Sequence, residues 1–422
     1  MKKIFLLFSG IFIFSTGPLF AQRNCASHEV LQEQMKTDPL FAIKLIEKEK
    51  KYNDYIRQNR GPFAQRQATI SIPVVVHVVY NTAEQNISDE QVQSQIDVLN
   101  EDFTATNKDY HKYDAGYTAV KGDADIQFCL VQVIHQATNK KSFGTSDQMK
   151  KAKTGGSEAV DPMHLLNIWV CNLGQNLLGY AYYPGVRPDI FGVVCHYKAF
   201  GRGAQYNLFS EYNLGRTTTH ELGHCFGLVH IWGDSNCGND LVGDTPLHNG
   251  PNFGCPEQGI RSTCTGTPVQ MWMDYMDYTD DPCMYFFSDG QVDRANFFID
   301  SDPQLQSIVN SGACNEHKNN QPVTVTNPGT FTPVLRLNQN QFSVFPNPAN
   351  ANITIELPAA YNGITEISVF NQSGILMQKQ SWLTGKGINT KQINTGHLPN
   401  GIYLLQLNQG QLRWTQKIII QH

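Results

Sequence analysis

The eleven residues from His220 to His230, HELGHCFGLVH, set three imidazoles and a carboxylate at spacings that fix the local fold and its chemistry together. Residues four apart on an α-helix share a face, so His220 and His224 can offer their rings to one metal ion while Glu221 stands beside them as a base. Gly227 enters the left-handed region without a Cβ penalty, ends the helix and swings the chain back for His230 to reach the same ion. Three neutral imidazoles leave one tetrahedral position open, the arrangement of a catalytic zinc rather than a closed structural one. The competing reading is a buried amphipathic helix with satisfied histidines. An isolated two-histidine motif would leave it room, but five specified residues in eleven leave it little.

A chain of 422 residues is too long for one ordinary core, and 41% hydrophobic content with 16% charge suits two or three folded units. With 32 Lys and Arg against 37 Asp and Glu, the net charge of -5 offers no basic stripe, which excludes nucleic acid as a partner. Met1-Lys2-Lys3 precedes an apolar run from Ile4 to Phe14, and Leu19-Phe20-Ala21 precedes the polar Gln22; residues 1–21 read as a secretory signal peptide. No later stretch has eighteen consecutive apolar residues, so no transmembrane segment is expected in the mature protein. Export changes the meaning of the ten cysteines, because an oxidising compartment permits disulfides. Cys237, Cys255, Cys264 and Cys283 lie in a Gly, Pro and Asn-rich stretch, where two disulfides in any of three pairings compete with a second zinc site. The absence of a C-x-x-C pair favours the disulfides. Cys129, Cys171, Cys195, Cys225 and Cys314 are an odd number, so at least one free thiol is expected, and the helical phase of Cys225 points to burial.

Hydrophobic patterning predicts a buried strand over Ile72 to Val79, a helix over Ser88 to Phe103 opened by a Ser-Asp-Glu cap, and a strand over Leu165 to Val170, a mixed α/β arrangement built on a sheet. Residues 22–66 are rich in Lys, Glu and Gln and read as a pro-segment, with Arg57, Arg60 and Arg66 as places to cut it away. A catalytic domain over 67–316 is followed by an Asn, Gln, Thr and Pro-rich linker over 317–340. From 341 to 422, short alternating runs split by Gly, Asn and Pro predict a small all-β sandwich.

Downstream of the histidine helix the chain reads Met273-Asp274-Tyr275, then Met276-Asp277-Tyr278-Thr279-Asp280-Asp281-Pro282-Cys283-Met284. The extended histidine motif followed by MDYTDDPCM resembles the pappalysin family of metzincin zinc metalloproteases, and the resemblance runs over about residues 70 to 315, including Gly179-Tyr180-Ala181 and Gly215-Arg216-Thr217. It implies an α/β (α+β) metzincin catalytic domain with a mixed twisted sheet, a zinc helix and a methionine turn. By the same resemblance Met276 lies beneath the zinc, with Met273 a duplicate lacking that role, and Tyr278 hydrogen-bonds the developing oxyanion. An edge strand over Leu177 to Tyr183 pairs with the peptide substrate. The resemblance also implies that Asp281 sits at the base of the pocket for an Arg or Lys following the scissile bond. The resemblance further implies that Asp240, Val242, Asp244 and Thr245 hold calcium, with Gly243 standing where an acidic residue is usual. The family pairing joins Cys237 to Cys264 and Cys255 to Cys283. Cys25 occupies the place of a latency cysteine that displaces the fourth zinc ligand, with Ala26 and Ser27 standing where the family has Gly-Thr. Read without the family, Tyr278 is a core aromatic, Asp281 a solvated loop carboxylate, the 240–246 segment a polar turn and Cys25 an unpaired thiol.

Phe345-Pro346-Asn347-Pro348, Asn400-Gly401-Ile402-Tyr403 and the terminal Lys417-Ile418-Ile419-Ile420 resemble the sorting domain read by the type IX secretion machinery, which implies passage through the periplasm and outer membrane. A carbohydrate-binding module is the other reading of a small β-domain. The whole predicts a secreted zinc endopeptidase, made as a zymogen and acting on proteins or peptides. The alternative is a secreted adhesion or binding protein that kept a metal-site scaffold; Glu221 separates the two, because a scaffold has no chemical need for that base.

Overall fold

A computed structural model describes residues 23–58, 69–112, 116–174, 176–314, 342–359, 363–371, 375–384, 387–409 and 412–422. The expected signal peptide, the linker, Arg60 and Arg66 lie outside these residues. The chain divides into two compact units between Val323 and Thr324.

The first unit is built on a five-stranded sheet in the order β2-β1-β3-β5-β4. Strand β1 (Ile70–Tyr80) is almost continuously apolar and buried, as a strand covered on both faces must be. It pairs in parallel with β2 (Ile126–Ala137) and β3 (Leu166–Cys171), and β3 pairs in parallel with β5 (Val193–His196). The edge strand β4 (Gly179–Ala181) runs antiparallel to β5 and makes the sheet mixed. Only three residues of the expected Leu177–Tyr183 edge hold strand geometry. Two pro-segment helices, α1 (Ser27–Thr37) and α2 (Pro39–Gln58), precede β1. Ahead of α1, the chain at Cys25 bridges to Gly179 in parallel, with Leu178 N–H donating to the Asn24 carbonyl and Ala26 N–H to that of Gly179.

Helix α3 (Asp89–Phe103) opens as its cap predicts, with the Ser88 side chain accepting from the Gln91 N–H and acidic residues Asp89 and Glu90 in the first turn. Helix α4 (Arg216–Cys225) carries the histidines, and its first residue fixes it in place. The buried Arg216 guanidinium pairs with Asp102 on α3 at 2.5 Å and with Asp109 at 2.9 Å, and also reaches the Tyr275 hydroxyl. Two carboxylates and an aromatic hydroxyl offset the lost hydration of this buried guanidinium at its two terminal nitrogens, while Nε is left without a partner among the described residues. Helices α5 (Asp289–Ser301) and α6 (Pro303–Val309) close the unit, α5 opened by a capping box of Ser288 and Gln291. A disulfide between Cys129 on β2 and Cys314 ties the end of the unit to its sheet across 185 residues. Cys171, Cys195 and Cys225 are buried free thiols.

The second unit is all antiparallel: a three-stranded sheet of β10 (Gly387–Asn394), β7 (Asn352–Ala359) and β6 (Ser343–Phe345), and a four-stranded sheet of β12 (Leu412–Ile420), β11 (Gly401–Gln409), β8 (Gly363–Asn371) and β9 (Leu376–Thr384), each in that order. Ile353, Ile355 and Ile393 of one sheet share a buried core with Ile367, Val369, Leu405 and Ile418 of the other, a β-sandwich. Among the described residues, no helix in either unit is long and apolar enough to cross a membrane.

Candidate active site

Gly227 sits at φ +85°, and a Cβ there would overlap the Phe298 ring, so both its conformation and its packing demand glycine. The chain turns there and brings His230 back against α4. The Nε2 atoms of His224 and His220 lie 3.3 Å apart, and those of His224 and His230 3.2 Å apart. Each ring is oriented through its other nitrogen. His220 Nδ1 lies 2.7 Å from the Tyr275 carbonyl, His224 Nδ1 2.8 Å from that of Leu228, and His230 Nδ1 2.5 Å from Asp234. These acceptors hold the proton on Nδ1 and leave three Nε2 lone pairs converging, the tautomer a metal needs. Burial and the neighbouring rings push His220 well below the usual imidazole range and His224 down to about 3, so both stay neutral.

The fourth member of the cluster is Cys25, with Sγ 3.5 Å from His224 Nε2. A tetrahedron of zinc–nitrogen bonds near 2.05 Å and a zinc–sulfur bond near 2.3 Å has N–N edges of about 3.3 Å and an N–S edge of about 3.5 Å. The observed separations match, so this donor set fits zinc. Cys25 is 3% exposed, buried rather than displayed as an exposed thiol.

Glu221 lies alongside. Its Oε2 accepts from the Ser27 hydroxyl at 2.8 Å and from Cys25 Sγ at 3.4 Å, and burial pushes its carboxyl up to about 7. Ser27 Oγ in turn accepts from the Ala181 N–H on β4 at 2.8 Å. The Tyr278 hydroxyl donates to the Cys25 carbonyl at 3.1 Å. Below the site, a Cβ on Gly223 would collide with Met276 Sδ, so methionine and glycine pack as a matched pair under the histidine helix. Met276 also receives the Ile231 N–H on its carbonyl, whereas the Met273 carbonyl accepts from Tyr285, on the far side of the turn.

Asp281 is fully buried, not a solvated loop carboxylate. One oxygen accepts from the Leu214 and Arg216 N–H groups at 2.9 and 3.2 Å, and the other receives Arg23 Nη2 at 2.6 Å. The Arg23 guanidinium also donates to the Thr279 carbonyl at 3.2 Å and stacks 5.0 Å over the Tyr212 ring. Arg23 is thus paired with Asp281 while Cys25, two residues on, joins the three histidines.

The four clustered cysteines form Cys237–Cys264 and Cys255–Cys283. In the loop between the histidine helix and the methionine turn, Thr245 Oγ1 lies 2.9 and 2.8 Å from the two Asp240 oxygens and 3.3 Å from the Val242 carbonyl. Asp240 also accepts from the Val242 N–H at 3.2 Å, and burial pushes its carboxyl up to about 7. Asp244 is turned away from them: its oxygens accept from the Ser288 hydroxyl and the Gly290 N–H, both at 2.8 Å, at the start of α5.

Four contributors were given no role in the sequence reading. Asp234, four residues past His230, orients that ring; Ser27 holds Glu221; Arg23 pairs with Asp281; and the Tyr183 hydroxyl donates to the Leu228 carbonyl at 2.6 Å. The H-x-x-x-D spacing of Asp234 and the Arg-x-Cys spacing of Arg23 and Cys25 are the signals a sequence supplies for them.

Residues 150–300 match the family described as pregnancy-associated plasma protein-A. An extracellular metalloprotease of Arthroderma benhamiae is 30% identical over 237 residues, covering 54% of this chain and 71% of the relative. The chain belongs to the pappalysin family. A second extracellular metalloprotease, from Colletotrichum graminicola, is 30% identical over 308 residues, covering 69% of this chain and 95% of that relative. Among solved structures, mature mirolysin of Tannerella forsythia in complex with a cleaved peptide is 42% identical at a TM-score of 0.57, covering 60% of this chain and 98% of its own. A promirolysin variant from the same organism is 38% identical at a TM-score of 0.61, covering 70% of this chain and 99% of its own. Residues 343–421 match the secretion system C-terminal sorting domain. This pappalysin is therefore a metallopeptidase of the mirolysin type, carrying a type IX sorting tail and secreted or displayed at the cell surface.

Proposed function

We propose that this pappalysin is a zinc endopeptidase that cuts on the N-terminal side of Arg, and of Lys less well, and that residues 22–66 hold it latent. The observation that carries this reading is Arg23 seated on Asp281 while Cys25, two residues on, joins the three histidines. Arginine stands there as a substrate's side chain would, and its planar fork suits carboxylate, carbonyl and aromatic face together.

His220, His224 and His230 hold the zinc, which when bound activates water and polarises a carbonyl. Glu221, which stands beside the three histidines, takes the proton from the attacking water and passes it to the leaving amine. The Tyr278 hydroxyl, directed at the Cys25 carbonyl in the latent form, turns to the substrate carbonyl as negative charge develops there. Strand β4, whose edge the pro-segment at Cys25 occupies in the latent form, takes an extended peptide there once that segment leaves, and the Ala181 N–H now engaged by Ser27 becomes available to it. Met276 supports the histidine helix from beneath without touching substrate.

Latency follows from the same contacts: the Cys25 thiol closes the metal position, Ser27 caps the base and Arg23 fills the pocket. The promirolysin match covers a further tenth of this chain compared with the mature form, which supports a pro-segment of this length. The domain boundaries follow: signal peptide 1–21, pro-segment 22–66, catalytic domain 67–316, linker 317–340 and sorting domain 341–422, the last recognised by the type IX machinery and removed on export. Calcium, held by Asp240, Val242 and Thr245, braces the loop between the disulfides, with Asp244 serving α5 instead. The test is cleavage of paired peptides differing only in Arg or Ala after the scissile bond. Equal rates on the two would overturn the Arg preference.

A further inference from the structure

Helix α2 is held at a place distinct from the cleft. Arg294 on α5 is fully buried, with Nε donating to the Gly227 carbonyl at 2.8 Å and Nη1 and Nη2 donating to the two Glu49 oxygens at 2.9 and 2.5 Å. Its guanidinium lies between two rings, Phe298 at 4.9 Å and Tyr52 at 5.0 Å. Half of this cage belongs to the catalytic domain: the Gly227 carbonyl and Phe298 fix the plane of the fork from below. The other half, Glu49 and Tyr52, belongs to α2. One residue before Glu49, Lys48 pairs with Asp302 at 2.8 Å, so a cation and an anion recessed in the catalytic domain meet an anion and a cation on the helix. Phe41 and Leu45, four residues apart, complete the buried stripe of α2.

We infer that, in the mature enzyme, Arg294 anchors a second binding site, one that takes a helical peptide bearing a carboxylate, and that the released helix Pro39–Gln58 is its ligand. The inference rests on removal of the pro-segment as proposed above. Loss of α2 takes the carboxylate and one aromatic wall from a guanidinium whose remaining supports hold it in a carboxylate-ready orientation. Arg294 owes part of its burial to α2, so loss of the helix bares a guanidinium still oriented by the Gly227 carbonyl and Phe298, and a carboxylate returning on a helix with an aromatic wall regains both bidentate bonds. The contacts of Lys48, Glu49 and Tyr52 involve none of the zinc ligands, Glu221 or Asp281, so occupancy here leaves the cleft open. A pro-segment cut after residue 58 accordingly stays docked through α2, and this tether keeps Arg23–Ser27 at high local concentration over the cleft. Activation then requires a second event that separates the plug from the helix.

The test uses purified, processed enzyme and a fluorescein-labelled peptide of residues 39–58, followed by anisotropy, with a Glu49→Gln peptide beside it. A longer peptide, residues 22–58 with Arg23→Ala and Cys25→Ala, covers the case in which the short peptide forms too little helix alone. Saturable binding that weakens at least tenfold with Glu49→Gln, while a short reporter peptide is still cleaved, is the expected result. Absence of binding by both peptides, equal binding of the Glu49→Gln peptide, or displacement of the 39–58 peptide by an active-site inhibitor would overturn the inference. Enzyme that binds the helix but cleaves nothing would instead sink the proposed function and leave this site standing.

Discussion

Substituting Asp281 by asparagine separates the specificity pocket from the rest of the machinery. The new amide oxygen keeps the bonds from the Leu214 and Arg216 N–H groups, and its nitrogen then turns a donor toward the guanidinium that Asp281 meets at 2.6 Å. The pocket is buried, so the loss is that of a desolvated charge pair, about 3 kcal/mol and thus about 150-fold in kcat/KM for a peptide with Arg after the scissile bond. The matched Ala peptide sends nothing into the pocket and changes by less than about threefold. Arg23 uses the same carboxylate, so the zymogen carrying this substitution is held less firmly and matures faster. The assay is hydrolysis of two internally quenched peptides differing at that one residue, by wild type and variant at equal zinc loading. Parallel losses on both peptides would show that Asp281 acts through folding, and an undiminished rate on the Arg peptide would refute the pocket assignment outright.

Asp234→Ala leaves His230 without its Nδ1 acceptor, and zinc affinity should fall about 10- to 100-fold in a competition titration with a chromogenic chelator. His196 is pushed down to about 4 by burial, so below pH 6.5 the unfolded chain binds a proton that the folded one refuses. The stability contributed by this neutral imidazole is therefore complete above pH 6.5 and is lost as pH falls toward 4. The advantage of wild type over His196→Asn should shrink by about 3 kcal/mol across that window in chemical unfolding, and a constant gap would contradict it. Replacing both Cys129 and Cys314 by serine opens a 185-residue loop and should lower stability by about 3 to 5 kcal/mol, read as a fall in Tm of the catalytic unit.

The site's core was legible because its logic is local. Histidines four apart on a helix, a glycine that turns the chain and a methionine turn about fifty residues on each carry a spacing that sequence displays. Strand β1 announced itself for a similar reason, since a central parallel strand must be apolar on both faces, and Ser88 announced α3 as a cap. What stayed hidden depends on contacts between distant segments. Arg23 and Asp281 are 258 residues apart, Glu49 and Arg294 are 245, and nothing in the local pattern of either member names the other. Lys150 is a further case: a lysine reads as surface, yet it is buried against Trp169, Tyr180 and Tyr182 and paired with Asp147. The edge strand proved shorter than expected: regular pairing with β5 spans Gly179 to Ala181, and at its two ends only single bonds in the same register remain, from His196 N–H to the Leu178 carbonyl and from Tyr182 N–H to the Gly192 carbonyl.

The most direct test of the account is the rate at which processed enzyme and its Glu221→Ala variant cut a peptide before Arg, each with one zinc bound and again after chelation. The account predicts cleavage that disappears with chelator, returns with added zinc, and falls about a thousandfold in the variant although zinc still binds. Undiminished activity in the variant, or cleavage that ignores the chelator, would contradict it.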